Sequence, residues 1–409
     1  MTTAQADWVL AGLFWGSAAL IVYAYVVFPA LVALHSLASR PYVVDTETTP
    51  KVSVLIAAHN EAEHIGAKLD NLFALDYPRA QLEVIIASDG SNDGTNELVS
   101  RRGVPGLRLL PLARCGKAAA LNAAAAEATG EILVFSDANS LYAPQALRAL
   151  VAPFADPRVG GVAGNQVYGA GEARSAAAAG EQLYWRFDRW LKWRQSHGGN
   201  TISATGAIYA IRRALFQPVP EGVTDDFVTS TRVIAAGWRL VFAPAAVACE
   251  PVAKSSGVEF GRKVRVITRG LRGVWHMREL LNPFRHGWYA CQLLSHKVVR
   301  RLVAVPLLVC LATSPLLWHR GWFYQAATCV QWAVYAAALL GLLLRHTRAG
   351  RRKVLALPFY FVLVNAAALV ALLNILRGHR IVVWEPQRSG VSGQPALASS
   401  ASLSDARST

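Results

Sequence analysis

Charged side chains are scarce in this chain of 409 residues, at 16% against 53% hydrophobic residues. This balance excludes intrinsic disorder and is unusual for a water-soluble enzyme of this length. Acidic residues are the scarcer kind, 26 against 41 Lys and Arg, which leaves a formal net charge of +15. The excess predicts an anionic partner, and nucleic acid, anionic lipid headgroups and a phosphorylated substrate all qualify.

Paired cysteines are also lacking. The five cysteines are odd in number, widely spaced and form no CxxC. This pattern indicates neither a disulfide framework nor a zinc site. A reducing cytoplasm therefore suits the bulk of the chain.

Several long runs lack charge entirely. Residues 8–34 contain no charged side chain and are long enough to cross a hydrocarbon layer of ~30 Å as a helix. Residues 322–344 and 354–376 have the same character, and residues 302–318 form a shorter, weaker candidate with two prolines. We predict one membrane span before a long polar middle and two or three after it.

The basic residues predict how these spans are oriented, because positively charged loops stay in the cytoplasm. Basic residues cluster at 297–301 and 345–353, which places the middle domain on the cytoplasmic side of the inner membrane. Four complete crossings would put the tail outside, although it carries Arg377, Arg380 and Arg388. A re-entrant segment at 302–318 would reverse that outcome.

The predicted domain order follows from these runs. A transmembrane helix lies within residues 1–40, a cytoplasmic domain spans 41–279, and the C-terminal membrane region spans 302–384. Residues 280–301 mix aromatic and basic side chains, which is typical of a helix along the headgroups or of a linker helix packed on the domain. Residues 385–409 are rich in Ser, Gly and Ala and predict a mobile tail.

The middle domain alternates short β-branched runs with helical stretches. Buried strands are predicted at 52–57, 82–88 and 132–136, and helices at 61–73, 95–101 and 117–127. Repeated strand–helix–strand order predicts a doubly wound α/β sheet, which binds ligands at the carboxyl ends of its strands.

Polar residues follow these strands. They occur at 58–61, at 89–95 and at 137–139. Carboxylate and amide oxygens at one edge of a sheet suit Mg²⁺ or Mn²⁺ and a nucleotide. Each group alone is more typical of a helix cap or a turn. All three at the ends of successive predicted strands favour a binding site.

The ordered motifs resemble those of the inverting family 2 glycosyltransferases, and the membrane-embedded cellulose, hyaluronan and poly-N-acetylglucosamine synthases are similar. The motifs are Val52 to Glu61, Ser88 to Thr95, Gly116-Lys117, Ser136 to Asn139 and Thr224-Asp225-Asp226. The resemblance covers about residues 51–301. It implies a GT-A fold and transfer of a sugar, usually from a UDP-sugar, to a hydroxyl group of a lipid-linked or polysaccharide acceptor.

The resemblance also implies roles for individual residues. Asp89 corresponds to an aspartate that contacts uracil, and the rest of the nucleotide pocket is assigned to Ala58, Asn60, Glu61 and Lys117. Asp137 and Asn139 occupy the DxD position, where a divalent cation (Mg²⁺ or Mn²⁺) neutralises the diphosphate. Asn139 keeps an oxygen ligand but lacks the charge of the usual second aspartate.

Asp225 and Asp226 match the acidic motif on the acceptor side. The resemblance makes Asp226 the general base, since a carboxylate near the acceptor hydroxyl can take its proton during in-line attack. The alternative is an N-cap pair that opens a helix at 227–236. Gly206, in the position of the acceptor loop, would let the backbone approach a sugar.

Processive members carry QxxRW after this motif, whereas the chain reads Arg262-Lys263-Val264-Arg265-Val266. Arg265 is the expected contact to the departing UDP, because a guanidinium binds phosphate oxygens bidentately. Arg262, Arg265, Arg269 and Arg272 share one helical face. Val266 in place of the tryptophan predicts the addition of one or a few sugars, not a long polymer.

The sequence also bears on three alternative functions. A transporter is disfavoured because the predicted spans contain no charged side chain. A nucleic-acid partner is not expected, since the basic residues cluster at membrane edges and on one helix. A polyprenyl-phosphate glycosyltransferase shares the fold and most of the motifs, and it remains the nearest alternative.

Overall fold

The computed structural model describes residues 3–168, 176–250 and 256–378. These residues form two compact units. The sheet unit comprises residues 36–168 and 192–250, and the apolar unit comprises residues 3–35, 176–191 and 256–378. The tail predicted at 385–409 lies outside the described residues.

In chain order the α-helices are α1 (Thr3–Val22), α2 (Phe28–His35), α3 (Ala62–Phe73), α4 (Thr95–Ser100), α5 (Lys117–Glu127), α6 (Ala146–Val151), α7 (Ala176–Gly198), α8 (Asp225–Ala235), α9 (Ser256–His276), α10 (Pro283–His286), α11 (Trp288–Leu293), α12 (Arg300–Leu302), α13 (Ala304–Leu316), α14 (Trp322–Leu343) and α15 (Lys353–Leu376). The strands are β1 (Val52–Ala58), β2 (Leu82–Asp89), β3 (Leu107–Leu112), β4 (Ile132–Phe135), β5 (Leu141–Tyr142), β6 (Val159–Tyr168), β7 (Tyr209–Arg212) and β8 (Arg239–Glu250).

The strands form one sheet in the order β3-β2-β1-β4-β7-β6-β8-β5. Strands β3, β2, β1 and β4 are parallel, as the strand–helix alternation predicts. The prediction of a doubly wound sheet is wrong beyond β4, because β7 pairs antiparallel with both β4 and β6. The sheet is therefore mixed. Along the chain, β6 and α7 lie between β4 and β7. Strand β7 then runs between β4 and β6 in the opposite direction to both.

Helices cover both faces of the parallel half of the sheet. Every residue of β1, β2 and β4 is buried. Ile65, Leu69 and Leu72 of α3 belong to the core on one face, and Leu121 of α5 belongs to the core on the other. Burial on both faces explains why these strands are almost continuously apolar. It also leaves their carboxyl ends as the place for polar chemistry.

The apolar unit contains three helices long and apolar enough to cross a membrane, at Gln5–His35, Trp322–Leu343 and Lys353–Leu376. All three coincide with predicted spans. The first includes a π-helical turn at Tyr23–Val27. The weaker candidate at 302–318 belongs to a pair of segments, Trp288–Leu302 and Ala304–Leu316, bent by 47°.

The segment predicted as one interfacial helix at 280–301 is broken into short pieces. Asn282 caps α10 by accepting a hydrogen bond from the Phe284 N–H at 3.0 Å, and Pro283 occupies its first turn. Gly287 then adopts φ 53°, which ends α10 before α11 begins. A positive φ ends a right-handed helix, whose residues need φ of about −60°, and glycine adopts it without strain because it has no Cβ.

Candidate active site

Two loops at the carboxyl ends of β1 and β2 are tied together. The strands are in register, with Ala58 opposite Ser88, and Asn60 adopts φ 55°. Four hydrogen bonds join the loops: Asn60 N–H to Ser91 Oγ (3.0 Å), Asn92 N–H to Asn60 Oδ1 (2.9 Å), Glu61 N–H to Thr95 Oγ1 (2.9 Å) and Ala62 N–H to Asp93 Oδ2 (3.0 Å). The structure thus brings together the groups predicted at 58–61 and 89–95.

Asp89 is fully buried at the end of β2 and holds the loop that precedes α5. Its carboxylate accepts hydrogen bonds from the Cys115 N–H (2.6 Å), the Gly116 N–H (2.9 Å) and Arg114 Nη1 (2.6 Å). Burial alone would raise the pKa of Asp89, but these donors hold it below its usual value. Asp89 therefore shapes the start of α5, and its contact with a nucleotide base stays a prediction.

Lys117 joins three segments that are far apart in the chain. Its Nζ lies 2.7 Å from Asp137 Oδ1, after β4, and 3.4 Å from Asp225 Oδ2, at the start of α8. Burial alone would lower the pKa of Lys117, but Asp137, Asp225 and Asp226 raise it above its usual value. One ammonium group thus connects the predicted donor side of the site with the predicted acceptor side.

Asp137 is half-buried and Asn139 is exposed on the turn after β4. A Cβ on Gly206 would lie 3.0 Å from Asp137 Oδ2, so the loop predicted to meet the acceptor already lies against this carboxylate. Within residues 3–168, 176–250 and 256–378, no group of three or more His, Cys, Asp or Glu side chains could hold a metal. A carboxylate and an amide oxygen nevertheless fit Mg²⁺ or Mn²⁺ when phosphate oxygens and water complete its shell.

The acidic pair on the acceptor side opens α8. Helix α8 begins at Asp225, two residues before the predicted start, and Thr224 occupies the N-cap. Thr224, and not the acidic pair, takes the N-cap position, and both aspartates lie in the first turn. Asp226 Oδ1 accepts a hydrogen bond from the Phe227 N–H at 2.7 Å.

Glu61 is buried near three other carboxylates, those of Asp137, Asp93 and Glu63. It is 8% exposed. Burial, together with the charges of Asp137, Asp93 and Glu63, raises its pKa to about 7, and Lys117 offsets part of this effect. Near neutral pH a substantial fraction of Glu61 is consequently protonated.

Arg265 belongs to α9 in the apolar unit and is half-buried. Burial and the neighbouring Arg269 and Arg262 lower its pKa. These three arginines are close neighbours, as their spacing predicts. Arg262 also pairs with the buried Glu259 at 2.9 Å. The contact of Arg265 with a leaving UDP stays a prediction.

Lys68 was missed by the sequence interpretation. It is fully buried on α3, and its Nζ donates to Ser136 Oγ at 2.8 Å and to the Ser140 carbonyl at 2.5 Å. Burial lowers its pKa to about 7, against the opposing charges of Asp137 and Glu250. A usable signal existed, since Lys68 falls at helical spacing between the core residues Ile65 and Leu72.

Comparisons with known proteins agree with this geometry. Mannosyltransferase PcManGT from Pyrobaculum calidifontis, whose structure was solved in complex with GDP-Man and Mn²⁺, superimposes with a TM-score of 0.67. The two chains are 25% identical, and the match covers 90% of this chain and 99% of the other. The sheet unit is thus a GT-A-like α/β domain with a mixed sheet. Residues 53–217 match the Glycosyl transferase family 2 model, so the chain carries a family 2 glycosyltransferase domain, as its motifs predict.

The matches to curated relatives cover a smaller share of each protein. The probable glycosyltransferase YdaM of Bacillus subtilis is 30% identical over 221 residues, which are 49% of this chain and 50% of that protein. The beta-monoglucosyldiacylglycerol synthase of Trichormus variabilis is 28% identical over 215 residues, 48% of this chain and 44% of that protein. The chain therefore spans about half the length of these two relatives.

Proposed function

We propose that this protein is an inverting glycosyltransferase that moves a sugar from a UDP-sugar to a lipid-linked or polysaccharide acceptor. The reaction takes place at the cytoplasmic face of the inner membrane, in cell-surface or exopolysaccharide synthesis. The observation that carries the proposal is the position of Lys117, which is bonded to Asp137 and lies within 3.4 Å of Asp225. Donor and acceptor groups thereby meet at one edge of the sheet.

The nucleotide diphosphate belongs beside Lys117. Ala58, Asn60, Glu61 and Asp89 lie in or next to the two paired loops that would hold the nucleoside. Asp137 and Asn139 would hold a divalent cation, which would supply positive charge next to the diphosphate. Lys117 adds a second positive charge close to Asp137, and its two acidic neighbours keep it protonated. Charges fixed before the reaction stabilise the leaving group without reorganisation.

Asp226 takes the proton of the acceptor hydroxyl. The hydroxyl oxygen attacks the anomeric carbon in line, and the bond from that carbon to the phosphate oxygen breaks, which inverts the configuration. Asp225 is the paired member of the acidic motif, since its Oδ2 faces Lys117. We assign the role of general base to Asp226, because the resemblance places the base at the last residue of the motif Thr224-Asp225-Asp226.

Two relatives bear on the donor and the acceptor. The structure of the neighbour was solved with GDP-Man and Mn²⁺. A GDP-sugar is therefore the alternative to a UDP-sugar as the donor of this chain. The synthase of Trichormus variabilis is named for a glycolipid product, which favours a lipid acceptor. A polyprenyl phosphate is the alternative acceptor. Val266, in place of the tryptophan of QxxRW, favours the addition of one or a few sugars over polymerisation.

The deciding experiment uses the full chain purified in detergent and a panel of UDP- and GDP-sugars. We expect the release of UDP in the presence of MnCl₂ or MgCl₂ and its loss in EDTA, with Asp137→Ala as the matched variant deficient in metal binding. Organic extraction of the labelled product separates lipid from polysaccharide acceptors. If no nucleotide sugar in the panel is cleaved, or if EDTA does not reduce the release of the nucleotide, the proposal is wrong.

A further inference from the structure

Lys68 occupies an unusual place for a lysine. Its side chain is completely buried beneath the turn that follows β4, although lysine is almost never fully buried without a specific partner. Its Nζ also lies 3.9 Å from the centre of the Tyr142 ring. The free energy needed to bury this group has to be offset by the contacts that it makes there.

Those contacts are made to the two ends of one turn. Ser136, whose Oγ accepts from Lys68, directly precedes Asp137, and Ser140, whose carbonyl accepts from Lys68, directly follows Asn139. The Ser140 N–H also donates to the Asp137 carbonyl at 3.3 Å. One ammonium group therefore closes the turn that displays both predicted metal ligands.

The contacts continue into neighbouring strands. The Ser140 hydroxyl donates to Glu250 Oε1 at 2.8 Å, and Gln166 donates to Glu250 Oε2 at 2.5 Å. The Ser136 hydroxyl lies 3.2 Å from the carbonyl of Ala207, the residue after Gly206. Lys68 is thus the centre of a buried network that fixes the turn against β6, β8 and the loop before β7.

We propose that Lys68 is a positioning residue that clamps the turn from Ser136 to Ser140, so that Asp137 and Asn139 present their oxygens to the same divalent cation. The inference rests on the proposed function. It matters particularly here because Asn139 brings no charge, so binding of the cation depends on accurate placement of the two oxygens. Groups that orient metal ligands typically contribute 10–100-fold to metal affinity.

The test compares wild type with Lys68→Met, which is also unbranched but one atom shorter and removes the N–H donors. Mn²⁺ affinity is measured by electron paramagnetic resonance with saturating UDP, or with GDP if the wild type prefers it. UDP affinity is measured by calorimetry in EDTA. We expect Lys68→Met to weaken Mn²⁺ binding about 10- to 100-fold and to leave metal-free UDP binding unchanged.

Three further variants separate positioning from general damage. Ser136→Ala removes one acceptor and should give a smaller loss of Mn²⁺ affinity. Leu72→Val, a core change on the same helix, should lower the melting temperature without changing Mn²⁺ affinity. Lys68→Met combined with Glu250→Gln should remain deficient, whereas restored binding would show that Lys68 only neutralises Glu250.

The outcomes also distinguish this inference from the proposed function. If wild type binds neither UDP nor GDP with Mn²⁺, the proposed function fails and the inference falls with it. If wild type binds and Lys68→Met binds Mn²⁺ equally well, the inference alone is overturned. An equal loss of metal-free UDP binding would also overturn it, because the whole pocket would then have changed.

Discussion

At the scale of single residues, Asp225 and Asp226 are adjacent but have different partners. Asp225 faces Lys117 at 3.4 Å, whereas Asp226 accepts a hydrogen bond from the Phe227 N–H. Loss of the first would disturb a charge pair on the donor side. Loss of the second should act mainly on the proton transfer, because Asp226 is the weakest of the three charges that raise the pKa of Lys117.

Asp226→Asn should therefore reduce sugar transfer by about 10²- to 10⁴-fold, the usual contribution of a general base. The affinity for UDP with Mn²⁺ should stay nearly intact, since no donor contact is removed. Initial rates and calorimetry on the same preparation measure both quantities. Asp70→Asn is the control, because Asp70 is an exposed carboxylate of α3 that pairs with Arg102. A loss of UDP binding in Asp226→Asn would mean that the base is misassigned.

Glu61 gives a prediction about pH. Its pKa in the folded protein is about 7 against an ordinary 4.5, so between these pH values the folded chain keeps a proton that the unfolded chain has lost. Stability should consequently fall as pH rises from 4.5 to 7 and stay low above that. Glu61→Gln removes this cost, and we expect it to stabilise the protein at pH 8 by ~2 kcal/mol.

Thermal unfolding of Glu61→Gln in detergent at pH 5 and pH 8 tests this expectation. The stabilisation should appear mainly at pH 8. Glu97→Gln, at an exposed position of α4 whose charge does not act on Glu61, should have little effect at either pH. An equal gain at both pH values would show that ionisation of Glu61 is not the cause.

At the scale of elements, the paired loops after β1 and β2 depend on local backbone geometry as well as on hydrogen bonds. Asn60 is the sole residue other than glycine with positive φ among those that the structure describes. Its side chain also accepts from the Asn92 N–H. Asparagine suits both requirements, because it tolerates the left-handed region and carries a short acceptor.

Two substitutions separate these requirements. Asn60→Gly and Asn60→Ala both lose the hydrogen bond to Asn92, but only alanine strains the left-handed backbone. We expect Asn60→Ala to be less stable than Asn60→Gly by about 1 kcal/mol. Denaturant unfolding of both variants measures the difference. Equal stabilities would contradict a positive φ at this position.

At the scale of the whole molecule, apolar helices account for the scarcity of charge. Three helices of 22 to 31 residues have the length and composition of membrane spans. The basic clusters at their ends predict a cytoplasmic sheet unit. The nucleotide sugar would then be drawn from the cytoplasm.

Cysteine labelling tests this orientation. In a variant that keeps only the exposed Cys115, a membrane-impermeant maleimide should react in inside-out vesicles and not in right-side-out vesicles. His319→Cys, in a background without other cysteines, should show the reverse, because residue 319 lies between α13 and α14. Labelling of Cys115 in right-side-out vesicles would refute the cytoplasmic position of the sheet unit. Labelling of both sites in inside-out vesicles alone would show that the segment at 302–318 is re-entrant.

The sequence by itself determined the strand–helix order up to β4, the three helices that have the length and composition of spans, and the family that the sheet unit resembles. These features are local: apolar runs of helix or strand length, and polar residues just after strands. The positions of Asp89, Asp137 and Asp226 relative to β2, β4 and α8 could therefore be predicted within a few residues.

The tertiary structure alone decided which side chains are partners. Lys117 pairs with Asp137 and Asp225 across long stretches of chain, and Asp89 turns its carboxylate to the loop before α5. Lys68 could be placed on α3, but its closure of the turn after β4 depends on packing between α3 and the sheet. The antiparallel entry of β7 was equally hidden. Such contacts depend on distances in space, and residue spacing along one element carries no information about them.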